Sequence, residues 1–196
     1  STKAWADAPA MALGATIFKV ALQIADVDRG YYADHALILA RHPSETDERL
    51  MVRLLAFALN AAPTTGEAGE GLAFGRCISA EDEADLWRMD LTGQVDVWIE
   101  VGAPDEKALR RACSRAREVR VYAYGGRTAD AWWRQVQGAA QRMDKLRVFS
   151  FPAAATRELA ALAQRNMSLQ ITLQEGQVLV TDGKASVAIE PVALRA

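Results

Sequence analysis

Two acidic side chains, Asp96 and Glu100, lie four residues apart in a strongly apolar stretch of the chain. The alternation of apolar and polar residues predicts a strand over residues 94–102 with both acids on one face. Carboxylates on such a face are candidate ligands of a divalent metal ion in phosphodiester chemistry. The competing interpretation is a structural cluster in which arginines across the sheet neutralise both acids. Because four residues span roughly 13 Å of strand, a further ligand must come from another element.

A third acid, Glu45, lies near the start of a helix that apolar spacing predicts over residues 44–60. Ser44 is a favourable N-cap residue, and Asp47 follows at the position of the capping-box acid. Two interpretations of Glu45 stay open. It completes the shell of the metal ion, or it forms an ordinary ion pair with Arg49 four residues later.

The helix predicted immediately after Glu100, over residues 104–117, is rich in basic side chains. Residues 104–120 contain six basic and three acidic side chains, although the whole chain has a net charge of −2. A phosphate backbone suits a cationic helix face, whereas the alternative is a charged face that only contacts solvent. The predicted nucleic-acid-binding residues are Lys107, Arg110, Arg111 and Arg115.

The remaining elements must position these side chains, and their pattern predicts a mixed α/β sheet domain. Further strands are predicted over residues 15–26, 31–41, 118–124, 146–151 and 185–189, with a short one at 72–78 and a hairpin at 168–181. Further helices are predicted over residues 79–87, 128–143 and 152–166, with a loop at 60–71 and a turn at 90–93. The first two strands form an added N-terminal pair, and the hairpin is an addition at the C-terminal end.

Length and composition favour one domain with a substantial core, since 51% of the 196 residues are apolar. Residues 1–10 lack a periodic pattern and are expected to be a disordered or extraneous extension, so the predicted domain covers 11–196. The net charge argues against bulk attraction to nucleic acid, but it allows a local basic patch. No apolar run reaches the length of a membrane span, and no signal peptide is visible, which predicts a cytoplasmic protein without a membrane partner.

The two cysteines, Cys77 and Cys113, lie in apolar segments and are expected to be reduced and buried, as in a cytoplasmic protein. Together with His35 and His42 they offer zinc-type ligands, but no pair among them has the spacing of a zinc site. Phosphate-binding loops and the serine-hydrolase elbow are also missing from the sequence.

Three stretches of the sequence resemble the signature of the bacterial YaeQ family. They are residues 11–19 (MALGATIFK), 41–57 (RHPSETDERLMVRLLAF) and 96–106 (DVWIEVGAPDE). That family is regarded as a divergent branch of the PD-(D/E)XK nuclease-like superfamily. Its core consists of a helix, a three-stranded meander, a second helix and a further strand. The resemblance therefore implies a restriction-endonuclease-like core sheet flanked by helices.

In such nucleases an Asp and a Glu hold magnesium, and a Lys two residues after the Glu orients the attacking water. The resemblance places Glu100 at the Glu position and Asp96 at the Asp position, with Asp90 as the substitute for Asp96. Glu45 matches a helix carboxylate that some superfamily members add to the site. Gly102 occupies the position of the Lys.

The function implied by the resemblance is Mg²⁺-dependent hydrolysis of a phosphodiester bond in nucleic acid. Because Gly102 has no charge, Lys107 or Arg111 on the next helix is expected to supply the missing positive group. The predicted metal ligands are Asp96 and Glu100, and the predicted catalytic set is Glu45, Asp96, Glu100, Lys107 and Arg111. The alternatives are a catalytically degenerate module that binds nucleic acid or a protein, and a regulatory or small-molecule-binding protein.

Overall fold

The computed structural model describes residues 14–63, 71–76 and 82–196. The strands in these ranges are β1 Thr16–Asp26, β2 Tyr31–Arg41, β3 Ala73–Phe74, β4 Leu86–Met89, β5 Val95–Val101, β6 Ala116–Ala123, β7 Leu146–Ser150, β8 Asn166–Gln174, β9 Gln177–Thr181, β10 Ser186–Ile189 and β11 Val192–Arg195. The helices are α1 Asp47–Asn60, α2 Glu106–Arg115, α3 Arg127–Ala140 and α4 Ala153–Ala160. The predicted mixed α/β class is therefore confirmed.

The N-terminal strand pair and the C-terminal hairpin join in one five-stranded sheet, in the order β10-β9-β8-β1-β2. Strands β1 and β2 are antiparallel over their whole length, from the pair Thr16 and Arg41 to the pair Asp26 and Tyr31. Strand β8 runs parallel to β1 and forms the predicted hairpin with β9. Strand β1 alternates strictly between buried and less buried side chains, because only one face of this sheet is covered by the core.

The six-stranded sheet carries the candidate chemistry and has the order β11-β7-β6-β5-β4-β3. Strands β5, β6 and β7 are parallel, with α2 connecting the first two and α3 connecting the last two. Strand β4 pairs antiparallel to β5. The carboxyl ends of the three parallel strands therefore meet at one edge of the sheet, which in α/β proteins is the usual location of ligands.

The two sheets and the helices form four layers, which pack together through two hydrophobic cores. The larger core contains nearly all of α1 together with α4, one face of the five-stranded sheet and the side chains of Val97, Ile99 and Val101 from β5. The smaller core packs the opposite face of the six-stranded sheet, including Trp98, against α2 and α3. The order of layers is thus sheet, helix, sheet, helix, and β5 is buried on both faces. Burial on both faces explains why β5 is so apolar.

Three predicted elements differ from the structure. The helix expected over residues 79–87 is wrong for its described part, because the chain is irregular from 82 to 85 and then enters β4. Pairing with β5 outweighs the local helix signal there. Helix α1 begins after an N-cap at Thr46 rather than Ser44, since the Thr46 hydroxyl accepts a hydrogen bond from the Arg49 amide. Helix α4 ends at Ala160, six residues earlier than predicted.

The cysteine and membrane predictions are tested only for part of the chain. Cys113 is a free thiol that is only partly buried, and burial raises its pKa. Cys77 and the expected extension at residues 1–10 lie outside the described residues. None of the helices in 14–63, 71–76 and 82–196 combines the length and hydrophobicity that crossing a bilayer requires.

Candidate acid-pair site at the end of strand β5

Asp85 and Glu100 form a pair of neighbouring carboxyl groups at the carboxyl end of β5. The register of β4 against β5 pairs Leu86 with Ile99, which places Asp85 beside Glu100. Their side chains therefore lie side by side at this edge of the sheet. The indole Nε1 of Trp98 donates to Oε1 of Glu100 at 2.7 Å. The Asp85 Oδ2 atom accepts a hydrogen bond from the backbone amide of Val101 at 2.7 Å, so both carboxyl groups have fixed orientations.

Desolvation and a neighbouring negative charge make the Glu100 carboxyl group a weaker acid than an ordinary glutamate, because both raise its pKa. Desolvation is the largest cause, the charge of Asp85 is the second, and together they raise the pKa of Glu100 to about 8. The hydrogen bond from Trp98 acts in the opposite direction, because it stabilises the ionised form. At neutral pH Glu100 therefore keeps its proton, as expected for a desolvated acid beside a second carboxyl group.

Arg49 brings a positive charge to the same edge from the first turns of α1. Its guanidinium donates to Asp85 Oδ1 at 2.7 Å, to Glu45 Oε1 at 3.1 Å and to the carbonyl oxygen of Val101 at 3.3 Å. Burial alone lowers the pKa of Arg49, but the charges and hydrogen bonds of Asp85 and Glu45 outweigh it and raise the pKa. Oxygen atoms of Glu45, Asp85 and Val101 thus all accept hydrogen bonds from the Arg49 guanidinium.

Glu45 is the buried anchor of this arrangement. Its side chain is fully buried and accepts hydrogen bonds from Arg53 at 2.7 and 2.9 Å, in addition to the one from Arg49. Arg53 also donates to the carbonyl oxygen of Ala40 at 3.0 Å. The ion pair between Glu45 and Arg49 that the sequence offered as one interpretation is present, and it is buried rather than exposed.

Asp96 lies at the opposite end of β5 from Glu100. It forms an ion pair with Arg117, and the same guanidinium contacts Asp90 at 3.0 Å. The structure therefore does not bring Asp96 or Asp90 to Glu100. The predicted trio of Glu45, Asp96 and Glu100 is divided between the two ends of the strand. Asp85 occupies the position beside Glu100 that the prediction gave to Asp96.

The predicted basic surface lies on α2, and its four members have different surroundings. Arg110 is paired with Glu106 at 2.6 Å, and Arg115 is paired with Asp82 at 3.2 Å. Lys107 is exposed and forms no ion pair with a described residue, whereas Arg111 is partly buried. Of these, only Lys107 combines full exposure with a place in the first turn after the strand end.

The backbone conformation at residue 102 explains why a glycine occupies the position of the expected lysine. Its φ is +108°, and its amide donates to the carbonyl oxygen of Tyr122 at 2.9 Å. A Cβ atom there would meet nothing within 4 Å, so the restriction comes from the backbone and not from crowding. Glycine tolerates this left-handed conformation, which turns the chain from β5 toward α2, and a lysine would be strained.

Asp85 is the site residue that the sequence did not reveal. The run Ser-Ala-Glu-Asp-Glu at 79–83 has the form of a capping box and pointed to a helix, which placed Asp85 inside it. Its role depends on the register between β4 and β5, and a single sequence contains no direct signal of register. The local sign of a strand after Asp85 was weak, a short run of three apolar residues, Leu86, Trp87 and Met89, around one arginine.

Comparison with known proteins identifies the relatives of this chain. A family model described as YaeQ protein matches residues 11–191. The "Uncharacterized protein YaeQ" of Salmonella typhi is 42% identical over 181 residues, covering 92% of this chain and 96% of that protein. The protein of the same name in Escherichia coli is 41% identical over 180 residues, covering 91% of this chain and 95% of that protein.

Two crystal structures have the same architecture. The YaeQ protein from Xanthomonas axonopodis pv. citri superposes with a TM-score of 0.85 at 48% identity, covering 93% of this chain and 99% of that one. The YaeQ protein from Pseudomonas syringae also gives a TM-score of 0.85, at 34% identity and with 94% and 98% covered. Sequence and structure agree along nearly the whole length. The chain therefore belongs to the YaeQ family.

Proposed function

We propose that Asp85 and Glu100 bind a divalent cation, with Mg²⁺ as the physiological ion, and that the site hydrolyses phosphodiester bonds in nucleic acid. The observation that supports this proposal is the placement of two partly buried carboxyl groups side by side at the carboxyl end of β5, with Asp85 fixed by the Val101 amide. Two acids so placed are unfavourable together unless a proton or a cation neutralises one of them. A divalent ion is a natural replacement for the proton on Glu100.

The available ligands fit magnesium better than a metal that needs a complete protein cage. Among the described residues no group of three or more His, Cys, Asp or Glu side chains is placed to hold a metal ion. Magnesium often takes only one or two carboxylates and completes its shell with water and substrate phosphate. The carbonyl oxygen of Val101, which faces the same guanidinium as Asp85, offers a further oxygen ligand. A bound Mg²⁺ polarises a phosphoryl oxygen and makes bound water more acidic.

The roles of the other predicted residues change accordingly. In this proposal Asp85 replaces Asp96 as the partner of Glu100, and Glu45 acts through Arg49, which it holds against Asp85. Arg49 can contact a phosphate oxygen, since its planar guanidinium matches phosphate geometry. Lys107 and Arg111 on α2 are proposed to supply the positive charge that the family pattern places two residues after the Glu.

A second candidate function is recognition of nucleic acid without cleavage. Two observations favour it. The backbone at Gly102 excludes the usual lysine, and the Arg49 guanidinium already contacts oxygens of Asp85 and Val101. An internal guanidinium that substitutes for a metal ion would leave a phosphate-binding edge with no means of activating water.

Metal binding is the direct test of the first candidate. Titration calorimetry with Mn²⁺ and Mg²⁺ should show one site in the wild type. That site should be lost in Asp85→Asn and Glu100→Gln and should be kept in the matched control Asp96→Asn. Because the metal must displace the proton on Glu100, affinity should rise about tenfold per pH unit up to about 8 and then level off. Loss of the site in Asp96→Asn, or absence of any heat in the wild type, would reject the assignment.

Cleavage separates the two candidates. The wild type is incubated with DNA and RNA in Mn²⁺ or Mg²⁺, beside Glu100→Gln and Lys107→Gln. Metal-dependent cleavage that both substitutions reduce supports the nuclease. Salt-dependent binding without cleavage, with Arg49→Gln weaker than the wild type, supports the binding module.

A further inference from the structure

A second cluster of charged residues lies on the inner face of the six-stranded sheet, which is the face toward α1. We call it the arginine cluster, and its members are Arg88, Glu118, Arg120 and Arg147. The register of the strands places these residues on β4, β6 and β7, with Arg88 and Glu118 flanking Val97 of β5. Because Val97 and Ile99 belong to the larger core, the neighbours paired with them point into the same layer. The cluster is therefore separate from Glu100, whose neighbour Trp98 packs in the other core.

The arginine cluster contains one carboxylate, that of Glu118, and three guanidinium groups that interact with it. Glu118 accepts a hydrogen bond from Arg120 Nε at 2.7 Å. Its pKa is lowered first by that hydrogen bond and then by the charges of Arg120, Arg147 and Arg88, while burial acts in the opposite direction. All three arginines thus lie close enough to act on the Glu118 carboxylate. Two positive charges in the cluster are not balanced by a carboxylate.

The three arginines have different numbers of partners. Arg120 is fully engaged, since it also donates to Asn60 Oδ1 at 2.6 Å at the end of α1. Within the described ranges, Arg147 donates to the backbone carbonyl oxygens of Asp144 and Leu146 and to no side chain. Arg88 makes no hydrogen bond or ion pair with a residue in the described part of the chain. The donors of Arg88 and Arg147 are therefore available for an additional anion.

The cluster is partly buried but still accessible to solvent. Glu118 and Arg120 retain 36% and 31% of their side-chain exposure, and Arg88 and Arg147 are intermediate between buried and exposed. In a partly buried position of lower dielectric, an anion is attracted more strongly than on an open surface. Guanidinium groups favour phosphoryl oxygens because their planar donors pair with two oxygens at once.

We propose that the arginine cluster binds a phosphoryl group, with Arg88 and Arg147 as the principal donors and Arg120 as their fixed neighbour. Glu118 competes for the same donors, and in the empty cluster it balances one of the three positive charges. This site does not depend on the acid pair at the end of β5, and no metal ion takes part in it. The phosphoryl group belongs either to a free phosphate compound or to a nucleic acid backbone.

The test measures binding of inorganic pyrophosphate and of a short single-stranded oligonucleotide by calorimetry, in the presence of a chelator and at constant ionic strength. Arg88→Gln and Arg147→Gln should each weaken binding about tenfold, the loss of one charge-assisted hydrogen bond. Arg142→Gln is the matched control, because Arg142 is exposed and outside the cluster. It should leave affinity unchanged.

The variant Glu118→Gln should change the affinity for the phosphoryl ligand in the opposite direction. Its amide oxygen can still accept the hydrogen bond from Arg120, while the competing negative charge is removed, so affinity should increase several-fold. Tighter binding of the oligonucleotide assigns the ligand to nucleic acid, and tighter binding of pyrophosphate assigns it to a free phosphate compound. The proposal is overturned if neither ligand saturates a site, if Arg88→Gln equals Arg142→Gln, or if Glu118→Gln weakens binding. The chelator ensures that failure of the metal site cannot produce these results.

Discussion

Each end of strand β5 places two carboxyl groups near one arginine, but the surroundings of the two groups differ. At the amino end Asp90 and Asp96 share Arg117, and at the carboxyl end Asp85 and Glu100 lie beside Arg49. The side chain of Arg117 is 62% exposed, whereas that of Arg49 is 17% exposed. Water screens the first group, and protein surrounds the second.

This difference in burial determines how each acid pair is neutralised. At the amino end one exposed arginine bridges two separate aspartates, which is an ordinary surface arrangement of small energetic value. At the carboxyl end Asp85 has the arginine, and Glu100 is left with Asp85 and an indole as its partners. The amino end is therefore satisfied by its arginine, whereas Glu100 at the carboxyl end has no arginine hydrogen bonded to it among the described residues. Environment, more than composition, separates the structural pair from the candidate site.

The largest effect is expected at the buried anchor of the carboxyl end. Glu45→Ala removes the one carboxylate that contacts Arg53 among the residues the structure describes, so Arg53 is left buried at 5% exposure without that partner. We expect a loss of about 3–5 kcal/mol in the free energy of unfolding. Urea unfolding followed by circular dichroism measures it. A loss below about 1 kcal/mol would mean that Glu45 is held loosely, which would favour the original prediction that it is a metal ligand.

The next effect concerns Glu100 and depends on pH. Its pKa is 4.5 in the unfolded chain and about 8 in the fold, so the folded state binds the proton more tightly. This contribution to stability is complete below the unfolded pKa and is lost as the pH rises through about 8. Glu100→Gln removes the penalty at high pH. At a pH of about 9 the variant should melt roughly 2–4 °C or more above the wild type, equivalent to about 1 kcal/mol or more.

Glu118→Gln is the control of opposite sign for this measurement. The hydrogen bond from Arg120 lowers the pKa of Glu118, so its contribution to stability is present at high pH and is lost as the pH falls. At high pH this variant should melt below the wild type. If Glu100→Gln also melts lower at high pH, Glu100 is ionised in the fold and the contrast between the two ends disappears.

Much of the framework around this contrast could be predicted from sequence. Alternating side chains located β1, β2 and β5 within one or two residues, because strands that are covered on one face or carry β-branched residues have a strong period. The start of α2 was also visible, since Asp105 caps it by accepting from the Ala108 amide. Spacing also offered the contact between Glu45 and Arg49 as one of two interpretations, and it placed Glu100 near the carboxyl end of β5.

The partner of Glu100 could not be predicted in the same way. Asp85 is fifteen residues away in the chain, and only the pairing of β4 with β5 brings it into contact. The sequence offered neutralisation by arginines as one interpretation of both acids, but it did not show that Arg117 neutralises only Asp96 or that desolvation raises the pKa of Glu100. Local periodicity determines which face a side chain lies on. Register and burial, which depend on distant parts of the chain, determine what it meets there.

The smallest effect is expected at the amino end, where Asp96→Asn breaks an exposed ion pair. Asp90 remains beside Arg117, so the guanidinium keeps one partner and no buried charge is left alone. We expect a loss below about 1 kcal/mol that shrinks further in high salt, because exposed pairs are screened. Urea unfolding in low and high salt measures it, with Arg117→Gln and the double variant completing a thermodynamic cycle. A salt-independent loss comparable with that of Glu45→Ala would show that the amino end is as strongly coupled as the carboxyl end. In that case burial would not be what separates the two acid pairs, and Asp96 would again compete with Asp85 for the role of partner in the site.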